Sequence, residues 1–300
     1  MWLDWQAQGT RVTQNLFHDN VPPKGVEITN GLSLGEDIFV EVSHGPTLID
    51  NNLLLSDVSV RLSTQGLALV HNLIAGSFDY VGKGTDNQAK HSKDCRFTPY
   101  HVPHRTEVAG FMTILHGDDR FYNNIFIQKP VREDLEALSH DENLFEEDGL
   151  VQFICGTKPF DGYPTMKEYK DRFAAHEPMD NDDKDRYYDH LPVWTGGNAF
   201  FNGAQPCDRE IGAFVDTEHE ITWELGEDGT FTTDLYDFLP VMNNEVISTE
   251  VLGMAFEPEE RFEQPDGTPI VFCRDYFDEH RGADPLSGPF ASPADAFKLI

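Results

Sequence analysis

Apolar residues flank a polar or charged one at single-residue spacing in four separate stretches. Leu3 and Trp5 surround Asp4, Val40 and Val42 surround Glu41, Val60 and Leu62 surround Arg61, and Met112 and Ile114 surround Thr113. A period of two belongs to β-strands, whose side chains alternate between two faces. Each stretch therefore predicts a strand with its flanks in a core and its central residue facing out. Counting forward from the four central residues gives the same result each time. Eight positions on stand Val12, Ile49, Leu69 and Phe121, and eleven on stand Asn15, Asn52, Asn72 and Asn124. The next two positions hold Leu16, Leu53, Leu73 and Ile125, then Phe17, Leu54, Ile74 and Phe126. Two units also carry His-Gly three positions on, as His44-Gly45 and His116-Gly117. Each unit predicts a strand, a tight corner and a second strand ending in Asn-apolar-apolar. Stacked, such units predict a parallel β-solenoid with asparagine amides hydrogen-bonding from rung to rung.

The steps between units are 37, 20 and 52 residues. The 20-residue step is a bare rung, and the longer steps carry Gly, Pro, Asn and Asp-rich insertions that predict loops. Beyond Gln128 the repeat fades. VREDLEALSHDENLFEEDG and MKEYKDRFAAHEPMDNDDKDRYY read as helical or looped, GNAFFNGAQP as a degenerate rung, and HEITWEL and TPIVFCRDYF as further strands. Residues 1–130 are expected to hold the stacked rungs, and 131–300 loops, strands and a tail packed on them.

Composition narrows the function. The chain has 300 residues, 39% hydrophobic with 22 Phe, as a folded protein requires. Its 22 basic and 53 acidic residues leave a net charge of −31 with His neutral. Such a surface repels phosphate backbones and anionic lipid, so neither nucleic acid nor membrane is an expected partner. No apolar run is long enough to span a bilayer and no signal peptide is visible, which gives a cytoplasmic expectation. Cys95, Cys155, Cys207 and Cys273 are widely spaced, without a CxxC pair, and read as reduced structural thiols.

Equal offsets place Asp4 and Glu41 on the same outward face of neighbouring rungs, about 4.8 Å apart along the stack. Two carboxyl groups roughly 5–5.5 Å apart are what a retaining glycosidase needs, whereas an inverting one needs roughly 6.5–9.5 Å. Acids on an outer face are also ordinary solvated surface, so the pattern leaves both readings open. Trp2 shares the outward face and offers a ring for stacking on a sugar. Arg61 is placed on the rung after Glu41, and His44 at the corner beyond it. His101, His104 and Arg105 come together in HVPHR, and Asp118 with Asp119 falls at a corner. All eight, Trp2 included, are candidate substrate contacts. HxxH without HExxH context is a weak zinc signal, and DNDDKD lacks the Gly of a calcium loop, so neither metal nor cofactor is expected. No P-loop, GxGxxG or GxSxG occurs.

WLDWQAQGTRVTQN, VEVSHGPTLIDNN and FMTILHGDDRFYNNIFIQ resemble glycoside hydrolase family 120, the β-xylosidases built on a right-handed parallel β-helix. FEPEERFEQPDGTPIVF and SGPF look like that family's tail. The resemblance implies an all-β, right-handed parallel β-helix with long inserted loops. It implies an exo-acting retaining β-xylosidase for short β-1,4-xylo-oligosaccharides, with Asp4 as nucleophile and Glu41 as acid/base. Family members carry long stretches before this aspartate, so the chain is expected to be the C-terminal part of a longer enzyme. A homo-oligomer is compatible with the sequence. A polysaccharide lyase or pectin-type hydrolase is the rival enzyme class, but its anionic substrate calls for a basic groove. A non-catalytic carbohydrate-binding solenoid is the third reading.

Overall fold

The computed structural model describes residues 1–25, 35–80, 96–138, 153–174 and 190–300. Cys95, the DNDDKD turn, most of the polar stretch after Leu138 and parts of both predicted insertions lie outside the described residues.

Three short strands recur in order along the first 130 residues. A first tier holds β1 (Trp2–Leu3), β2 (Thr10–Thr13) and β3 (Leu16–Phe17). A second holds β4 (Ile38–Glu41), β5 (Thr47–Asp50) and β6 (Leu53–Leu54), and a third β7 (Val58–Ser63), β8 (Leu67–Val70) and β9 (Leu73–Ile74). After β10 (Ser77–Tyr80), a hairpin of β11 (Phe97–His101) and β12 (Val108–Thr113) intervenes before β13 (Asp119–Tyr122) and β14 (Ile125–Ile127). Strands β15 (Val193–Gly196), β16 (Ala199–Phe201) and β17 (Phe214–Val215) follow. Like strands pair in parallel, giving sheets ordered β1-β4-β7-β10, β15-β13-β8-β5-β2 and β17-β16-β14-β9-β6-β3. Val12, Ile49, Leu69 and Phe121 lie side by side, as do Leu16, Leu53, Leu73 and Ile125. The stack continues past residue 130, because Val193–Gly196 and Ala199–Phe201 pair with β13 and β14.

The inward faces form one core that includes Val40, Leu62, Ile49, Leu69, Leu54, Ile74, Phe121 and Phe126. The outward faces of the second and third sheets are also buried. Leu48, Ala68 and Val70 pack against Leu252, Phe262, Ile270 and Phe272, while Leu53, Leu73, Ile125 and Phe201 pack against Phe231, Leu235, Phe290 and Phe297. The C-terminal residues are thus held by apolar surface that the parallel strands cannot bury among themselves. That wrapping leaves the outward face of the first sheet, which carries Trp2, Phe39, Glu41 and Arg61, for other work.

The all-β, right-handed parallel β-helix expected from the sequence does not describe this chain. The described residues contain four α-helices: α1 (Glu133–Leu138), α2 (Met166–Ala174), α3 (Leu235–Phe238) and α4 (Thr249–Leu252). The β11–β12 hairpin is antiparallel, and so is a three-stranded sheet of β18 (Trp223–Leu225), β19 (Thr230–Thr233) and β20 (Ala296–Lys298). Among the described residues, no parallel strand is contributed after Val215, the sheets do not close into a barrel, and no right-handed solenoid is shown. The architecture is mostly parallel sheets with few helices. The repeat marked local pairing; it said nothing of the last 85 residues, 216–300, where the chain follows buried apolar contacts rather than strand repeats.

The asparagine row is present and longer than four. The Nδ2 of Asn15 donates to Asn52 Oδ1 at 3.1 Å, Asn52 to Asn72, Asn72 to Asn124 and Asn124 to Asn198, each at 3.0 Å. Asn198 Nδ2 then donates to Glu210 Oε1 at 2.9 Å, so a glutamate ends the row. Each asparagine follows a residue with left-handed backbone, namely Gln14, Asn51, His71, Asn123 and Gly197.

Burial pushes the Glu210 carboxyl up to about 7, although Thr195 and Asn198 hydrogen bond with it. A raised carboxyl favours the fold when protonated. Its contribution is complete below the unfolded value near 4.5 and is lost as pH rises through about 7. Stability is therefore expected to fall by at most about 3 kcal/mol from this group between pH 4.5 and 8. Glu210→Gln, which keeps a neutral side chain of the same shape, should flatten that limb in urea unfolding measured at several pH values. An unchanged slope would remove the assignment.

Candidate active site

Strand β1 pairs with β4 through Trp2 to Phe39 and Leu3 to Val40; Asp4 is the first residue past β1, and Glu41 is the last residue of β4. The register survives the corner that follows, because Gln6 N donates to Val42 O at 3.2 Å and Gly9 N to Pro46 O at 2.9 Å. Thr10 then meets Thr47. Asp4 is exposed, and its Oδ1 accepts a hydrogen bond from Trp5 N at 2.9 Å. Glu41 is 8% exposed. Its Oε2 accepts from Trp2 Nε1 at 2.9 Å, and its Oε1 from Arg96 Nη1 at 2.6 Å. The guanidinium of Arg96 lies 4.9 Å above the Trp5 ring. Trp2, 60% exposed, stacks on Phe39 at 5.7 Å, and Arg61 lies over Phe39 at 5.2 Å. The Glu41 carboxyl group is thus held by a guanidinium and an indole N–H, while Asp4 faces solvent. Val42, directly after Glu41, has φ +49°, which is costly for a β-branched side chain.

Arg61 does not stand in the Glu41 column. It pairs with Phe39, and Ser63 is the residue opposite Glu41. Five residues, 42–46, turn the corner between β4 and β5, but only three, 64–66, turn it between β7 and β8, so the common count of eight falls on Arg61, two positions before Ser63. Arg61 instead pairs with Glu36 at 3.1 Å. Thr113 leaves the column altogether, because β12 pairs antiparallel with β11.

His44 is buried. Its Nε2 lies 3.1 Å from Thr98 O and 3.2 Å from Met112 O, and its Nδ1 lies 3.0 Å from Gln65 Nε2. Burial lowers its imidazole to about 4, so it is neutral near pH 7 and ties the hairpin onto the stack. Asp118 and Asp119 are also buried. Asp118 pairs with Arg120 at 2.7 Å and accepts from Phe256 N at 2.7 Å, and Asp119 accepts from Leu67 N at 3.2 Å. Burial raises both carboxyl groups above the ordinary aspartate range.

The HVPHR loop does reach the WLDWQ segment. His101 Nε2 lies 3.1 Å from Gln6 Oε1, and His101 N donates to Gln8 Oε1 at 2.8 Å. His101, His104 and Arg105 line a cavity of about 340 Å³ together with Gln8, Arg11, Glu260 and Glu263. His104 is 2.7 Å from Glu263 Oε1. The structure therefore joins Trp2 to Glu41 and the HVPHR residues to Gln6 and Gln8, leaves Asp4 exposed beside Trp5, and holds His44, Arg61, Asp118 and Asp119 in buried contacts. Among the described residues, no group of three or more His, Cys, Asp or Glu could hold a metal ion, and no helix is long and apolar enough to cross a membrane.

Sequence reasoning missed Arg96, Trp5, Glu260 and Glu263. Arg96 reaches Glu41 across 55 positions through a hairpin outside the repeat, and both glutamates come from the C-terminal wrapping. Only Trp5 carried a signal, since it sits inside WLDWQ.

No protein-family profile matches the chain, and no curated protein does. A search of solved structures gives XylC in complex with xylose, which is similar over 100% of this chain with TM-score 0.74 and 30% sequence identity. The chain spans 41% of the length of that protein. The likeness thus links this chain to a protein that holds a pentose.

Proposed function

We propose that Asp4 and Glu41 are the catalytic pair of a retaining exo-β-xylosidase of glycoside hydrolase family 120, acting on short β-1,4-xylo-oligosaccharides. The observation that carries the reading is the β1–β4 register, Trp2 against Phe39 and Leu3 against Val40, after which Asp4 and Glu41 are the next residues on two chains about 4.8 Å apart. A short carboxyl separation is the requirement for retention. The likeness to XylC with xylose supports the sugar. Asp4, open to solvent, attacks the anomeric carbon while Glu41 gives its proton to the leaving oxygen. A water then attacks the same carbon, Glu41 takes the water's proton, and Asp4 is released. Arg96 contacts the same carboxyl group and fixes its position. Trp2 holds Glu41 through its N–H and presents its ring to the sugar. His101, His104 and Arg105 line the cavity that Gln8 and Arg11 also border.

The test is hydrolysis of nitrophenyl β-xyloside by the protein and its Asp4→Ala variant, with and without azide. The variant should lose turnover, and azide should restore it with an α-xylosyl azide as product. A variant as active as the parent would end the proposal.

A further inference from the structure

A cavity of about 690 Å³ lies at the far end of the second sheet, bordered by Tyr122 on β13, Trp194 on β15, Glu210, Ile211, Asn243 and Glu245. Strand β15 is the fourth from β2 in that sheet, so the cavity is about 19 Å along the stack from the tier of Asp4. Its origin is legible in TGGN. The position of Gly196 is filled by Asp50, Val70 and Tyr122 in the preceding strands, and that of Gly197 by Asn51, His71 and Asn123. Two successive glycines stand where the other strands carry side chains; at Gly197 that space is taken by Asn123 and Asn244 rather than left to the cavity. At Gly197, with φ +67°, a Cβ would come within 2.2 Å of Asn123 Oδ1 and 2.8 Å of Asn244 Oδ1. The floor therefore has no room for a side chain.

We infer that this cavity is a second saccharide-binding site, for a neutral oligosaccharide, separate from the catalytic pair. The indole of Trp194 is fixed from one side by the Arg120 guanidinium, 4.6 Å from its ring. It is a rigid apolar wall of the kind a sugar ring stacks on. Ile211, 75% exposed, stands at the mouth. Around these apolar groups stand an amide (Asn243), a guanidinium (Arg209, which also donates to Tyr163 O and Glu168) and carboxylates (Asp208, Glu245), the donor and acceptor types that sugar hydroxyls use. The acids outnumber the single arginine, so phosphate, sulfate and uronate are excluded as ligands. Xylotetraose is the natural probe on the reading proposed above; the class of ligand follows from the cavity alone.

The experiment is xylotetraose titration of an Asp4→Asn protein, followed by calorimetry and by tryptophan fluorescence. Two binding events are expected. Trp194→Ala and, separately, Glu245→Arg at an exposed position of the mouth should weaken one event by about tenfold and leave the other unchanged. Both variants, made with Asp4 intact, should hydrolyse nitrophenyl β-xyloside at the parental rate. A single event that neither variant alters would overturn the inference while leaving the catalytic reading intact. Binding lost in the variants from a parent that never cleaves xyloside would support the second site and remove the catalytic reading.

Discussion

Glu41→Gln is expected to slow hydrolysis of xylobiose by about 10²–10⁴-fold, the range over which a positioned general acid acts. The amide oxygen can still accept from one of the two donors on Glu41, the Trp2 N–H or the Arg96 guanidinium, so the side chain keeps one anchor, but it has no proton to give the departing sugar. A nitrophenyl xyloside separates the two halves of the reaction. Nitrophenolate leaves without a proton, so the xylosyl group should transfer to Asp4 at nearly the parental rate. Water then attacks unaided, and the second half should stall. The rapid-mixing trace should show a burst of one nitrophenolate per site and then a slow steady rate, and azide should raise the steady rate. Parental turnover of xylobiose by the variant would refute the role of Glu41.

Asn124→Ala is expected to lower stability by about 3–5 kcal/mol. Its side chain is fully buried and makes four hydrogen bonds. Nδ2 donates to Leu69 O at 2.9 Å and Asn198 Oδ1 at 3.0 Å, and Oδ1 accepts from Asn72 N at 2.9 Å and Asn72 Nδ2 at 3.0 Å. Alanine strands those partners in a dry interior, where each unsatisfied polar group costs about 1–3 kcal/mol before any water enters. Asn15→Ala at the half-buried end of the row should cost only about 1 kcal/mol, since solvent can replace what is lost. Urea unfolding of both variants makes the comparison, and equal losses would mean that the row adds nothing beyond its separate links.

The row was legible in the sequence because an amide that bonds to its own copy must recur at a fixed place in every tier. The apolar pair after each asparagine was legible for the same reason, and so was the Asp4–Glu41 register, since both corners after these acids have equal length. Arg61 was misplaced by the two extra residues of the SHGP corner, a difference that no apolar count registers. The C-terminal wrapping was not legible, because Phe262, Phe272, Phe290 and Phe297 pack on outward faces without a period of their own. Arg96 was hidden in the same way: one arginine beside a strand carries no mark of the glutamate it will meet.

Every link in the asparagine row points the same way, with the N–H of each amide aimed at the oxygen of the next and the last one at Glu210. Turning a single amide over would set two hydrogens face to face on one side and two oxygens on the other. No tier can therefore correct or corrupt its orientation alone; the whole file keeps step or none of it does. A substitution at one link should consequently reach chemical shifts several strands away, in tiers it never touches.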